Sequence, residues 1–311
     1  MRLAPAAAVG CAALLIASCG GDDSNPAPAS EPDRAPARTD SRPATPADVP
    51  RDAPTLLAAG DIAQCDSDGD EETARLARKL PKAQIAALGD LAYPRGTATD
   101  FARCWDPSWG KLGNRVRPAP GNHEYGTGVA DTYFRYFGSR AGEAGKGWYS
   151  YEVGSWHIVV LNSNCSVVPG GGCAPGSEQE RWLRADLAAH GDAKCTLAYW
   201  HHPRRSSGIH GDDRSVEPLR RALTGAHADV LLQAHDHDYE RFAQRKGLRE
   251  WVVGTGGAGT YPIGLGQRGS QVRWSGGHGL LALTLRPDGY EWRFLAAGGA
   301  DFGDAGRGHC G

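Results

Sequence analysis

Two histidines separated by a single residue, His235-Asp236-His237, follow the apolar run Val230-Leu231-Leu232. Such a run reads as a buried strand, whose irregular end can aim two imidazoles at neighbouring points. Neutral imidazole is the commonest metal-binding side chain, so the pair suggests a metal site. Four more polar clusters end short apolar segments upstream. They are Gly60-Asp61-Ile62-Ala63, Gly89-Asp90-Leu91-Ala92-Tyr93, Gly121-Asn122-His123-Glu124 and Trp200-His201-His202-Pro203. Singly, Gly-Asp and Gly-Asn are turn dipeptides and a histidine before proline is a loop residue. Jointly they supply carboxylates, a phenol, an amide and imidazoles, all of them metal-donor types.

The elements that must position these clusters are legible as periodic patterns. Thr55 to Ala59 and Ala83 to Leu88 read as short buried strands, and Arg117-Pro118-Ala119 leads into a third strand end. Glu71 to Leu80 reads as a helix, acidic in its first turn and stopped by Pro81. Trp148 to Val153 and His157 to Asn162 alternate around Gly154-Ser155 as a hairpin does. Ser177-Glu178-Gln179-Glu180 predicts a capping box opening a helix to about His190. Thr196 to Trp200 reads as a strand, and Val216, Leu219 and Leu223 as a helix stripe. A β-rich tail follows around Trp251, Leu281 and Trp292. Helices interleaved with strands and hairpins predict an α/β fold, a mixed sheet system covered by helices. Ligands of such folds collect at the carboxyl ends of strands, so the clusters should share one crevice.

In this order the motifs resemble those of the calcineurin-like metallophosphoesterase superfamily, over essentially all of residues 54–311. The resemblance implies a four-layer α/β/β/α sandwich of two mixed sheets flanked by helices. The broad pattern begins Asp-x-His, whereas this chain has Asp61-Ile62-Ala63. It carries instead Tyr93, three residues after Asp90, which is the purple acid phosphatase pattern. His235-Asp236-His237-Asp238-Tyr239-Glu240-Arg241 is similar to the closing motif of those enzymes, with Ala234 where a glycine is usual. By this resemblance Asp61, Tyr93 and His237 hold one metal, Asn122, His201 and His235 the second, and Asp90 bridges both. His201 is chosen over His202 because the family pattern is His-x-Pro. The phenolate and carboxylates suit Fe(III), and the imidazoles and amide suit Zn, Mn or Fe(II). Two such ions can clamp a phosphate and activate water.

His123 and His210 fall at the family's substrate-side histidines, and no serine or cysteine nucleophile is needed. The expected activity is hydrolysis of small phosphate monoesters. A phosphodiesterase or nucleotidase on the same scaffold, and a non-catalytic surface protein that binds phosphorylated ligands, are the alternatives.

The chain has 311 residues, 40% of them hydrophobic and 23% charged, with a formal net charge of -2. This suits a globular protein and gives no electrostatic footprint for nucleic acid. Residues 1–18 read as an export signal of the bacterial lipoprotein kind: Arg2, an apolar stretch Ala6 to Ala17, then Ser18-Cys19-Gly20, with Cys19 as the lipidated residue. The expectation is a protein attached through Cys19 to the outer face of the cell membrane, or else secreted. Residues 19–53, rich in Pro, Ala, Asp and Ser, read as a disordered tether, leaving 54–311 as the catalytic domain. Six cysteines of the domain allow 15 pairings. Cys165 and Cys173 flank a Pro-Gly-Gly-Gly loop and are the expected pair, with Cys65–Cys104 and Cys195–Cys310 completing the set. Cys-x-x-Cys spacing is absent, which argues against a zinc cluster.

Other features read blandly. Asp66-Ser67-Asp68-Gly69-Asp70-Glu71 lacks the spaced glutamate of a calcium loop. Gly254-Thr255-Gly256-Gly257-Ala258-Gly259 lacks the Lys-Ser/Thr of a nucleotide loop and is expected to edge the crevice. Ser206 and Ser207 read as loop residues, and Arg204 and Arg205 as either rim cations or a solvated basic loop.

Overall fold

The computed structural model describes residues 41–311; the expected export signal, Cys19 and most of the expected tether lie outside the described residues. Among the described residues thirteen strands form, with helices between the earlier ones and none after the seventh. They are β1 Thr55–Ala59, β2 Gln84–Ala87, β3 Val116–Pro118, β4 Tyr149–Val153, β5 Trp156–Val160, β6 Cys195–Tyr199 and β7 Val230–Gln233, then β8 Tyr239–Phe242, β9 Arg249–Val253, β10 Ser270–Trp274, β11 Gly279–Arg286, β12 Gly289–Ala296 and β13 Ala305–His309. One sheet has the order β13-β12-β11-β1-β2-β3 and the other β10-β8-β9-β7-β6-β5-β4. Strands β1, β2 and β3 run parallel, as do β5, β6, β7 and β9. The outer strands are antiparallel, so both sheets are mixed, as expected.

Burial on both faces explains the near-continuous apolar runs of the parallel strands. Along β5, Ile158 and Val160 join the large core that also holds β1, while Val159 and the following Leu161 point the other way. That second face packs on Leu183 and Leu187 of the helix Glu178–Ala189, and on Leu219 and Leu223 of the helix Glu217–Gly225. The first sheet carries the helix Gly69–Arg78. At the cap of helix Glu178–Ala189, Ser177 Oγ accepts from Glu180 N–H (3.1 Å). The reciprocal arm differs from expectation: the Glu180 carboxylate accepts from Gly176 N–H (3.2 Å), one residue earlier.

The tether boundary also differs. The described residues 41–53 form a short turn at Pro46–Asp48 and bury Ala44 and Val49 in the main core. Ala44 and Val49, together with the Asp52–Arg286 ion pair at 2.7 Å, dock a segment whose composition reads as tether. The three expected disulfides are present, Cys65–Cys104, Cys165–Cys173 and Cys195–Cys310. The last joins the start of β6 in one sheet to the chain end beyond β13 in the other.

His157 on β5 is buried, with Nδ1 2.7 Å from Glu152 and Nε2 2.7 Å from Asp186, and its ring stacks 3.9 Å from that of His190. Burial opposes its charge, but the two carboxylates win and raise its pKa. Asp186 is likewise opposed by burial and yet lowered, chiefly through His157. A raised histidine stabilises the fold fully below its unfolded pKa, about 6.5, and loses that contribution as pH rises through the folded value. The aspartate's contribution is present above about 3.9 and is lost as pH falls through its lowered folded value. Melting temperature should therefore decline on the alkaline side above about pH 6.5. In His157→Gln that slope should flatten, and an unchanged slope would assign it elsewhere.

Candidate metal centre

The polar clusters meet where the carboxyl ends of β1, β2, β3, β6 and β7 converge. Local backbone makes this possible. Asp61 (φ 58°), Asp90 (φ 50°) and His235 (φ 73°) are all left-handed, a region that costs non-glycine residues free energy and persists where surroundings enforce it. The enforcement is visible. Asp61 N–H donates to Gly89 O (3.0 Å) and His235 N–H to the Asp61 carboxylate (2.8 Å). Ala258 N–H donates to Asp61 O (2.9 Å), placing the glycine-rich loop beneath the site. A Cβ at Gly60 would meet that of Ala234 at 2.5 Å, so the missing side chain on one turn accommodates alanine on the other. At Gly121 a Cβ would collide with the Asp90 carboxylate.

Two donor groups result, sharing Asp90. Tyr93 Oη lies 3.1 Å from Asp61 Oδ1, 3.2 Å from Asp90 Oδ2 and 3.0 Å from His237 Nε2. His201 Nε2 lies 3.2 Å from Asp90 Oδ2, 3.1 Å from Asn122 Oδ1 and 3.2 Å from His235 Nδ1. Ligand atoms about 2.1 Å from one ion and at right angles to each other stand about 3 Å apart, so these separations fit two cations. The imidazoles are preset for it. His201 Nδ1 donates to Leu88 O (2.9 Å) and His237 Nδ1 to Gly259 O (2.5 Å), leaving each Nε2 lone pair for the site.

All seven expected ligand residues, Asp61, Asp90, Tyr93, Asn122, His201, His235 and His237, are thus brought together. His202 stands at the edge of the second group, with Nδ1 against Ser163 Oγ (2.8 Å) and its ring 4.6 Å from that of His235. Ala63, where the broad pattern has histidine, accepts from Tyr93 N–H at its carbonyl (2.8 Å), so a small residue stands beside the turn that delivers the phenol.

The electrostatics are those of anionic donors packed out of water. Burial, then Asp61 and Asp90, raises the Tyr93 phenol well above its ordinary value. Burial opposes the charged form of His201, but Asp90 and Asp61 push it up to about 9. His235 is pushed down to about 2 by burial and by the neighbouring His201 and His202. Burial opposes the Asp90 carboxylate too, yet His201 holds its pKa below the usual range.

His123 flanks the first group. Its Nδ1 donates to Pro94 O (2.5 Å), and its Nε2 stands 3.7 Å from Asp90 Oδ2. His210 flanks the second, its ring 4.3 Å from His235, held by N–H and Nδ1 donation to Asp236 Oδ1 (2.9 Å each). Ser206 and Ser207 are buried anchors, bonded to Asp236 and Glu240. Arg204 pairs with Glu217 (2.5 Å) and Arg205 with Glu250 (3.0 Å), so neither serves as a free cation at the rim.

Sequence reasoning gave no role to Glu124, Asp236 or Tyr261. Glu124 accepts from the backbone N–H groups of Asp90 (3.0 Å), Leu91 (2.8 Å) and Gly121 (2.7 Å), locking two ligand turns together. Burial and Asp90 push its carboxyl up to about 7. Glu124 and Asp236 lie inside quoted motifs, so their place there was the available signal. Tyr261, stacked on His237 at 4.1 Å, stands in an irregular loop with no such signal.

Fold and site define a class. The chain belongs to the calcineurin-like phosphoesterase family, which it matches over residues 54–239. It is 29% identical over 182 residues to probable purple acid phosphatase 20 of Arabidopsis thaliana, covering 50% of this chain and 39% of that protein. To acid phosphatase type 7 of Homo sapiens it is 26% identical over 214 residues, covering 61% and 47%. The matched part of the chain thus spans half or less of these relatives. The purple acid phosphatase PPD1 of yellow lupin superposes with a TM-score of 0.70 at 16% identity, over 86% of this chain and 55% of that one. A dimetal phosphatase of Danio rerio gives 0.58 at 14% identity, over 80% and 98%. At those identities the likeness is one of fold.

Glu124→Gln puts an amide N–H₂ against at least one of the three buried donors. It should lower unfolding free energy in urea by about 2–4 kcal/mol, the cost of orphaned buried groups. A loss below about 0.5 kcal/mol would mean that those N–H groups are satisfied without the carboxylate.

Proposed function

We propose that the protein is an exported phosphomonoesterase of the purple acid phosphatase type. The observation that carries this reading is the pair of donor groups sharing Asp90. Asp61, Tyr93 and His237, with Asp90, would hold the first ion, and Asn122, His201 and His235, again with Asp90, the second. The phenol and carboxylates of the first group favour Fe(III), and the amide and imidazoles of the second favour Zn, Mn or Fe(II). Bound there, the ions supply Lewis acidity to a phosphoryl group and acidify a water.

The chain's own side chains supply the rest. His123, whose Nδ1 is spent on Pro94 O, has Nε2 left to hold the proton for a departing alcohol. His210, steadied by Asp236, orients the phosphate. Ser206 is bonded to Asp236 and Ser207 to Glu240, which supports a mechanism without a serine nucleophile. Metal analysis, visible absorption and turnover of phenyl phosphate test the reading together. Wild type should contain about two ions per chain, and Asp90→Ala should lose metal and at least about 100-fold in turnover. Tyr93→Phe should bleach the phenolate-to-iron band. Full metal content in Asp90→Ala would remove the shared ligand from the proposal.

We further propose attachment to the outer face of the cell membrane through a lipidated Cys19. Three disulfides support an oxidising compartment. Cys19→Ser should move the protein out of the membrane fraction, and unchanged fractionation would dismiss the anchor.

A further inference from the structure

A cleft of about 690 Å³ opens beside Tyr93, His123 and His237. A phosphoryl group needs only a fraction of that space, which is the size of a small organic ligand's site. Its lining also includes Arg103, Cys65 and Tyr261. Arg103 is the one Arg or Lys side chain lining the cleft, and among the described residues it makes no hydrogen bond or ion pair. Arg204, Arg205 and Arg220, none of which lines the cleft, are by contrast spent on glutamates. Two carboxylates also line the cleft, Asp66 and Asp100, and neither pairs with Arg103. Asp100 is committed to the backbone N–H groups of Arg95 (3.2 Å) and Thr97 (3.0 Å).

Arg103 is itself exposed, but the backbone that carries it is fixed. Its neighbours Phe101, Cys104 and Trp105 are buried, and Cys104 is bonded to Cys65 on the loop that follows Asp61. The backbone under Arg103 is therefore tied to the ligand turn, while its guanidinium stays free. A free guanidinium in a cleft of ligand size is suited to pairing with an anion, as carboxylate and phosphate pairing are its strongest interactions.

Resting on the phosphomonoesterase reading, we propose that this cleft receives the alcohol portion of the ester, and that Arg103 selects alcohols carrying a second anionic group. The phosphoryl group sits at the metal centre, and the second anion reaches Arg103 across the His123 side, where the alcohol departs.

Two ester probes and two binding probes test this with the metal-loaded protein. Wild type should favour meta-carboxyphenyl phosphate over phenyl phosphate by about tenfold in kcat/KM, one charge-assisted contact's worth. Calorimetry should give a like preference for meta-carboxyphenylphosphonate over phenylphosphonate. Arg103→Gln should bring both ratios close to one, and Arg103→Lys should retain part of each. A wild-type ratio near one, or a ratio untouched by Arg103→Gln, would overturn the proposal. If neither ester is cleaved, the monoesterase reading fails, and the phosphonate affinities still decide the role of Arg103.

Discussion

Everything at the site depends on three anionic or acidic side chains buried side by side, Asp61, Asp90 and Tyr93. The Asp61 and Asp90 carboxylates each lie about 3 Å from the Tyr93 hydroxyl in a buried place, and two carboxylates buried together are tolerated only beside a compensating cation. In the chain itself the compensation falls to His201 and His237, whose charged forms Asp90 and Asp61 favour against burial. The same oxygens make the place a strong binding site for metal ions. The demand for positive charge and the capacity to bind metal are one electrostatic fact.

Holding such a group costs backbone freedom, and the fold supplies it through parallel strands ending together. Each of three ligand positions takes a left-handed turn that its own residue type disfavours. Hydrogen bonds from neighbouring turns hold them there: His235 N–H donates to the Asp61 carboxylate, Asp61 N–H to Gly89 O, and three amides of the Asp90 and Gly121 turns to Glu124. Each turn is therefore fixed by another cluster rather than by its own sequence. The two sheets are in turn joined by Cys195–Cys310 and by the buried Arg241–Asp304 pair at 2.7 Å. Each donor group draws on both sheets, the first taking His237 and the second Asn122 from the sheet opposite its other members, so the site requires the two sheets to keep their relative placement.

The site divides the labour of its histidines by what each Nδ1 does. In His201, His237 and His123 that atom is bonded to a backbone carbonyl, which leaves Nε2 for chemistry. In His235 Nδ1 itself faces the centre. His210 spends Nδ1 on Asp236, and Ser206 bonds to the same carboxylate. One aspartate between the two histidines of the closing motif thus organises the loop opposite it.

The sequence by itself determined which residues could form the centre. The ligand types, their order at strand ends and the replacement of a histidine by Ala63 with Tyr93 downstream were all written in local motifs. Apolar runs and caps likewise placed the strands and helices to within a few residues, because burial on two faces and capping are local signals. Four things were not local. The docking of residues 41–53 depended on a core groove that fits Ala44 and Val49. The pairing of Arg204 and Arg205 depended on acids 13 and 45 residues away. Glu124 acquired its role only when three amides from two turns met its carboxylate. Arg103 acquired its place through the burial of Phe101 and Trp105 and the bond of Cys104 to Cys65, 39 residues from it. Spacing along a chain specifies what one turn presents. Which partners it meets is decided by packing between elements far apart in sequence, and that only the tertiary structure holds.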